Sequence, residues 1–141
     1  MKNYAEAEVF APDELVLLRR ATALVAAIPD VHAFGELRCH ELARAVGRAL
    51  DLQVQDGRYF LVEHSWLSIS PRQRGQWREN ILDVYCVGSL PQVQIRACVP
   101  GESHVGTTHV GYRPGPARED IREAVVDGLV EIFRREAASG R

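Results

Sequence analysis

The chain holds 141 residues, 46% hydrophobic and 26% charged, a composition that fits one ordinary globular domain and excludes a disordered, fibrous or collagen-like chain. Seventeen Lys and Arg against nineteen Asp and Glu leave a net charge of −2. No long-range positive field therefore draws the protein to nucleic acid or to an anionic membrane, and neither is expected as a partner.

Met1 to Asp13 contains Glu6, Glu8 and Asp13 and no uninterrupted apolar run, so neither a secretory signal nor a transit peptide is visible. Asp13 is placed to cap a helix from about Glu14 to Ile28, which Pro29-Asp30 stops. Leu15, Leu18, Thr22, Val25 and Ala26 share one face of it, with Arg19 and Arg20 opposite. Those arginines, and a length below the ~20 residues of a membrane span, make this stretch amphipathic rather than transmembrane.

A second helix is expected from about Glu36 to Leu50. Cys39, Leu42, Ala43, Val46, Ala49 and Leu50 form its buried stripe, spaced by three and four. His40, Glu41, Arg44 and Arg48 form its solvent face, and His32 and His40 read as surface residues. Gly47 costs about 1 kcal/mol against Ala in a helix interior, which predicts a close packing partner there.

From Leu52 the period changes to two. Leu52–Gln55 and Tyr59–Leu61 read as strands joined by a tight turn at Asp56-Gly57, since Asp-Gly tolerates positive φ. Glu63–Ser70, Asn80–Val87 and Gln92–Val99 follow as further strands, and their short links predict an antiparallel meander. Val99 to Ala117 reads as a long loop, too polar for the core, and Asp120 to Arg135 as a closing helix with Ile121, Val125, Leu129, Ile132 and Phe133 inward. With no repeat and no linker, residues 1–141 are expected to form a single α+β domain, an antiparallel sheet with helices packed on it.

The three cysteines, Cys39, Cys86 and Cys98, form an odd set without a Cys-x-x-Cys pair, as expected of free thiols in a reducing cytoplasm. Cys86 and Cys98 fall in apolar strands and read as inert. Cys39 opens a helix, where the dipole and unpaired backbone N–H groups favour a thiolate. His64 begins a strand 25 residues later, and Asp83 stands in the next strand within Ile81-Leu82-Asp83-Val84-Tyr85, where a bare carboxylate would be costly to bury. Adjacent antiparallel strands can bring this Asp beside this His. The three then read as nucleophile, base and orienter.

Arg38-Cys39-His40-Glu41-Leu42-Ala43, Glu63-His64-Ser65-Trp66-Leu67 and Ile81-Leu82-Asp83-Val84-Tyr85 together resemble the Cys, His-x-Trp, Asp skeleton of the transglutaminase-like branch of the papain-like cysteine enzymes. The resemblance covers about Leu37 to Val87. It departs from the commoner pattern at Leu37-Arg38 before the cysteine, at Ser65 within His-x-Trp and at Val84-Tyr85 after the Asp. It implies a papain-like core and acyl transfer through a thioester on an amide or ester, by a peptidase, amidase or cross-linking transferase, with a peptide or protein substrate. Trp66 shares the side of His64, where it packs against that ring or, as the candidate substrate-binding residue, contacts the substrate.

No cofactor is called for. His104 and His109 match no zinc spacing, and no metal site is expected. Pro71 to Arg78 combines three Arg with a Trp, which reads as a solvated loop on a net negative domain. The rival reading is a catalytically inactive binding module on the same scaffold, engaging a protein partner through the Pro71–Glu79 and Val99–Ala117 loops. A solvent-reachable Cys-His contact favours the enzyme, and a sulfur buried away from imidazole favours the module.

Overall fold

A computed structural model describes residues 10–70, 79–98 and 111–139. Among them are three α-helices, α1 (Pro12–Ala26), α2 (Cys39–Leu50) and α3 (Glu123–Ala138). Five strands, β1 (Gln53–Tyr59), β2 (Val62–Ser70), β3 (Glu79–Val87), β4 (Leu90–Cys98) and β5 (Tyr112–Pro114), form one antiparallel sheet in the order β4-β3-β2-β1-β5. The expected α+β class holds. No helix among the described residues is long and apolar enough to cross a membrane.

The helices cover one face of the sheet. Leu24 and Val25 of α1, Leu42, Ala43 and Val46 of α2, and Val126, Leu129 and Phe133 of α3 pack with Leu67, Leu82 and Val84 of the central strands into the main core. By strand alternation the intervening residues face the other way, and there Trp66, Ile81 and Tyr112 form a second, aromatic cluster with Tyr59 against it. Gly47 is buried as expected, because a Cβ there would stand 2.8 Å from the Leu52 carbonyl oxygen and 3.0 Å from the Leu67 side chain.

Several expectations are corrected. Helix α1 begins at Pro12 rather than at Asp13-Glu14, since Glu14 Oε1 accepts from the Ala11 N–H at 2.9 Å and proline suits a first helical position. Its inward face is Ala21, Leu24 and Val25, with Thr22 and Ala26 exposed. Helix α2 begins at Cys39 rather than Glu36, and the face expected to be solvated is so only at its far end: His40 and Glu41 are buried and Arg44 half-buried, whereas Arg48 is exposed, as is Ala49 of the expected buried stripe. Glu41, fully buried, is held between Arg38 and Arg122, accepting from Arg38 Nε at 2.9 Å, from Arg122 Nη2 at 2.9 Å and from the Arg122 backbone N–H at 3.0 Å. That last bond and the pairing of Asp120 with Arg118 and Arg38 tie residues 120–122 to α2, so α3 starts at Glu123 rather than Asp120.

The first hairpin turn lies at Phe60-Leu61, where Phe60 takes φ 56°, and not at Asp56-Gly57. Asp56 and Gly57 lie within β1, opposite Ser65 and His64. Gly57 is needed for close approach rather than for turning, since a Cβ there would lie 2.1 Å from the Arg113 carbonyl oxygen of β5. Strand β5 is itself a correction, because the expected long loop contributes Tyr112, 1% exposed, to the sheet and core. The Arg-Trp segment 71–78 and both His104 and His109 lie outside the described residues, as does the Cys98 side chain.

Candidate active site

The opening in the sheet positions the chemistry. Strands β2 and β3 pair from Ser70↔Asn80 to Leu67↔Leu82, with a register shift between Ser68 and Ser70, and no pair continues the ladder past Leu67. Residues 62–66 and 83–87 therefore border a gap, and the N-terminus of α2 meets it. A cleft of about 420 Å³ results, with Glu36, Cys39, Val62, His64, Tyr85 and Cys86 among its walls. A larger groove of about 640 Å³, lined by Arg19, Arg20, Arg48 and Arg134 with Leu24 and Phe133, holds no cysteine or histidine.

The structure brings Cys39, His64 and Asp83 together. His64 Nε2 donates to Asp83 Oδ1 at 2.7 Å, both side chains being buried, and the Tyr112 hydroxyl donates to Asp83 Oδ2. A carboxylate out of place in an apolar strand thus has two partners. With Nε2 engaged, Nδ1 is the ring nitrogen left for the cleft that His64 shares with Cys39, and thiol and imidazole are close enough for each to shift the ionisation of the other.

Each pKa moves toward the ion pair. Burial pushes the Cys39 thiol up, but hydrogen bonds from His40 and His64 and the charge of His64 outweigh it and hold the thiol at about 6. Burial pushes the His64 imidazole down, yet the hydrogen bond to Asp83 and the contact with Cys39 raise it to about 9. Both shifts run in the direction that favours thiolate and imidazolium over the neutral pair. Cys86, in the same cleft, goes the other way: burial, then the charges of Cys39 and Glu36, push its thiol up to about 11, which disfavours its thiolate.

Trp66 stands behind His64 rather than in the cleft. It is 1% exposed, its ring is 6.1 Å from the imidazole at an interplanar angle of 29°, and it meets Tyr112 edge-on at 5.2 Å. That is a packing position, which braces the imidazole against rotation.

Sequence reasoning missed two features. Tyr112 sat in a segment read as loop, and nothing in Gly-Tyr-Arg-Pro-Gly signals a buried hydroxyl. His40 sat on a face read as solvated, and its signal was indirect: Arg44 one turn on, and Asp56 and Ser65 on the facing strands, are the partners a buried polar helix face requires. His40 Nδ1 lies 3.7 Å from Cys39 Sγ and 2.8 Å from Ser65 Oγ. Ser65 Oγ donates to Asp56 Oδ1 at 2.6 Å, and Asp56 is paired with Arg44 and accepts from the Arg118 N–H at 2.9 Å.

No group of His, Cys, Asp and Glu among the described residues could hold a metal ion. Compared with protein-family models, with curated proteins and with solved structures, the chain has no match.

Proposed function

We propose that the protein is a cysteine-dependent acyl-transfer enzyme of papain-like, transglutaminase-like design, with Cys39 as nucleophile, His64 as general acid and base and Asp83 as orienter. The observation that carries the reading is a buried His64–Asp83 hydrogen bond of 2.7 Å beside a cysteine that opens a helix and lines a cleft. The Cys39 thiolate attacks the acyl carbon of an amide or ester, forming the C–S bond, and the His64 imidazolium gives its proton to the departing amine or alcohol. Water, or another nucleophile, then gives its proton to His64 as it attacks the thioester, and the C–S bond breaks with its electron pair returning to sulfur.

No side chain caps the start of α2, so the Cys39 backbone N–H is the candidate donor to the oxyanion. The open cleft suits a peptide or protein substrate whose bulk stays outside. Cys39 and His64 line one open cleft, which favours the enzyme over the inactive binding module.

The test is acyl-enzyme trapping. A panel of p-nitrophenyl esters and acyl-peptide thioesters is mixed with the full chain, and intact mass and peptide mapping read the adduct. An acyl adduct on Cys39, with turnover that vanishes in Cys39→Ala while the variant stays folded, supports the reading. Full turnover in Cys39→Ala ends it.

A further inference from the structure

We propose that His40 is a second, fixed hydrogen-bond donor to the Cys39 sulfur, held in its donating tautomer by Ser65, Asp56 and Arg44. The inference rests on the reading of Cys39 as a thiolate nucleophile and deepens it.

The tautomer follows from the far end of the chain of contacts. Burial opposes the Asp56 charge, but the Arg44 guanidinium, the Ser65 hydroxyl and the Arg118 N–H hold its carboxyl at about 2, so it is an acceptor only. Ser65, buried and 2.6 Å from that carboxylate, must spend its single proton there. Its oxygen then faces His40 Nδ1 at 2.8 Å with lone pairs alone, which leaves Nδ1–H as the donor. Nδ1 itself lies 3.7 Å from Cys39 Sγ, within reach for the same N–H to be shared with the sulfur. Arg44 Nη1 also donates to the His40 carbonyl at 3.1 Å, which fixes the backbone under the ring.

The two histidines divide the work. His64 exchanges its proton with the leaving group and the acceptor, so its charge disappears midway through each cycle. His40 keeps its Nδ1 proton throughout and supports the sulfur when the C–S bond breaks and the thiolate departs. It is a donor to the reacting atom, and Ser65, Asp56 and Arg44 are positioning residues. The other titratable groups lining the cleft with Cys39 are His32 and Glu36 from the preceding segment, Glu63 and His64 from β2, and Tyr85 and Cys86 from β3.

The test reads thiol ionisation and needs no substrate. Iodoacetamide labelling of Cys39 in the full chain, followed by peptide mass across pH, is compared for wild type, His40→Ala, His40→Asn and Ser65→Ala. Wild type should show a midpoint near 6. His40→Ala should raise it by about one unit, a loss of about fivefold in rate at pH 6, and Ser65→Ala should raise it by less, since the ring stays beside the sulfur but loses the acceptor that fixes its tautomer. His40→Asn, whose amide nitrogen replaces Nδ1, should stay within about twofold of wild type. Ser65→Ala removes one oxygen and does not touch the sulfur, so its effect separates tautomer control from packing. In the wild-type protein, nitrogen NMR of His40 should show the proton on Nδ1. Labelling unchanged in both Ala variants, Asn performing no better than Ala, or a proton on Nε2 overturns the inference and leaves the acyl-transfer reading standing. A wild-type midpoint near that of a free thiol overturns both.

Discussion

Replacing Cys39 by Ala should make the stability of the fold depend on pH in a window where the native protein is indifferent to it. In the unfolded chain between about pH 7 and pH 8 the thiol largely keeps its proton and the imidazole has largely lost its own, about one proton in all. In the folded protein over the same window Cys39 has lost its proton, its thiol held at about 6, and His64 has gained one, its imidazole raised to about 9. The count is again one. Folding moves a proton from sulfur to nitrogen without exchanging any with water, and the pair contributes no slope to stability against pH. Without Cys39 the balance fails. His64 still donates to Asp83 at 2.7 Å, so its folded pKa remains above the unfolded value. A raised pKa gives stability that is complete below the unfolded value and is lost as pH rises through the folded one. The slope is about −1.4 kcal/mol per pH unit while folded His64 holds a proton that the unfolded chain has lost. Urea unfolding of wild type and Cys39→Ala at pH 6.5, 7.5 and 8.5 measures the difference, in which groups common to both cancel. The variant should lose about 1 kcal/mol more than wild type across that range, the Asp83 share of the His64 shift remaining once the Cys39 share is gone. Parallel curves would refute the proton transfer, and with it the ion pair.

Asp83→Asn should lower turnover of a trapped ester by about 10³–10⁴-fold with little loss of stability, because the amide keeps the shape but favours the wrong imidazole tautomer. Asp83→Ala should in addition cost about 1–3 kcal/mol by leaving the buried His64 N–H without its acceptor, and near-native turnover in both would assign the orienting role elsewhere. Gly57→Ala should cost about 1–3 kcal/mol in calorimetry and reduce turnover, since its methyl group meets the Arg113 carbonyl and pushes β5 with Tyr112 away; a melting temperature matching wild type would contradict that packing. Glu41→Gln should cost about 3 kcal/mol by leaving Arg38 and Arg122 short of their buried counter-charge. Burial opposes the Glu41 charge, but Arg38 and Arg122 hold its carboxyl at about 2, so it stabilises the wild type above its ordinary 4.5 and that contribution fades as pH falls toward 2. Acid titration of stability should show this loss in wild type and not in the Gln variant, and identical acid limbs would count against the pairing.

The parts of the fold visible in the sequence were those governed by periodicity. The stripe Leu42, Ala43, Val46, Leu50 and the alternation through Trp66 to Ile69 and Ile81 to Val84 depend on burial alone, which a linear pattern displays. Cys39, His64 and Asp83 could be grouped because each stood at a position with a local anomaly: a thiol at a helix start, a histidine opening a strand, a carboxylate among aliphatics. What was hidden depended on partners distant in sequence. His40, Glu41 and Arg44 look like a solvated face until Ser65, Arg122 and Asp56 arrive to bury them, and a charged side chain carries no local mark of its future counter-ion. Asp56-Gly57 has turn chemistry in isolation, but the ion pair at Asp56 and the approach of β5 at Gly57 use the same two residues differently. Tyr112 entered the core through a strand of three residues, too short for any period to be seen.

That short strand separates competence from stability. The Tyr112 hydroxyl that grips Asp83 is carried by an edge segment with only three paired positions against β1, bracketed by the Phe60 N–H on the Gly111 carbonyl at 2.8 Å and the Gly115 N–H on the Asp56 carbonyl at 2.9 Å. Edge segments this short open with far less free energy than the whole domain. The bracing of the Asp83 carboxylate therefore rests on one margin of the sheet as well as on the core in which the Tyr112 ring is buried. On the acyl-transfer reading, opening of that margin in mild heat or dilute urea should lower turnover while the helices and central strands still report an intact fold.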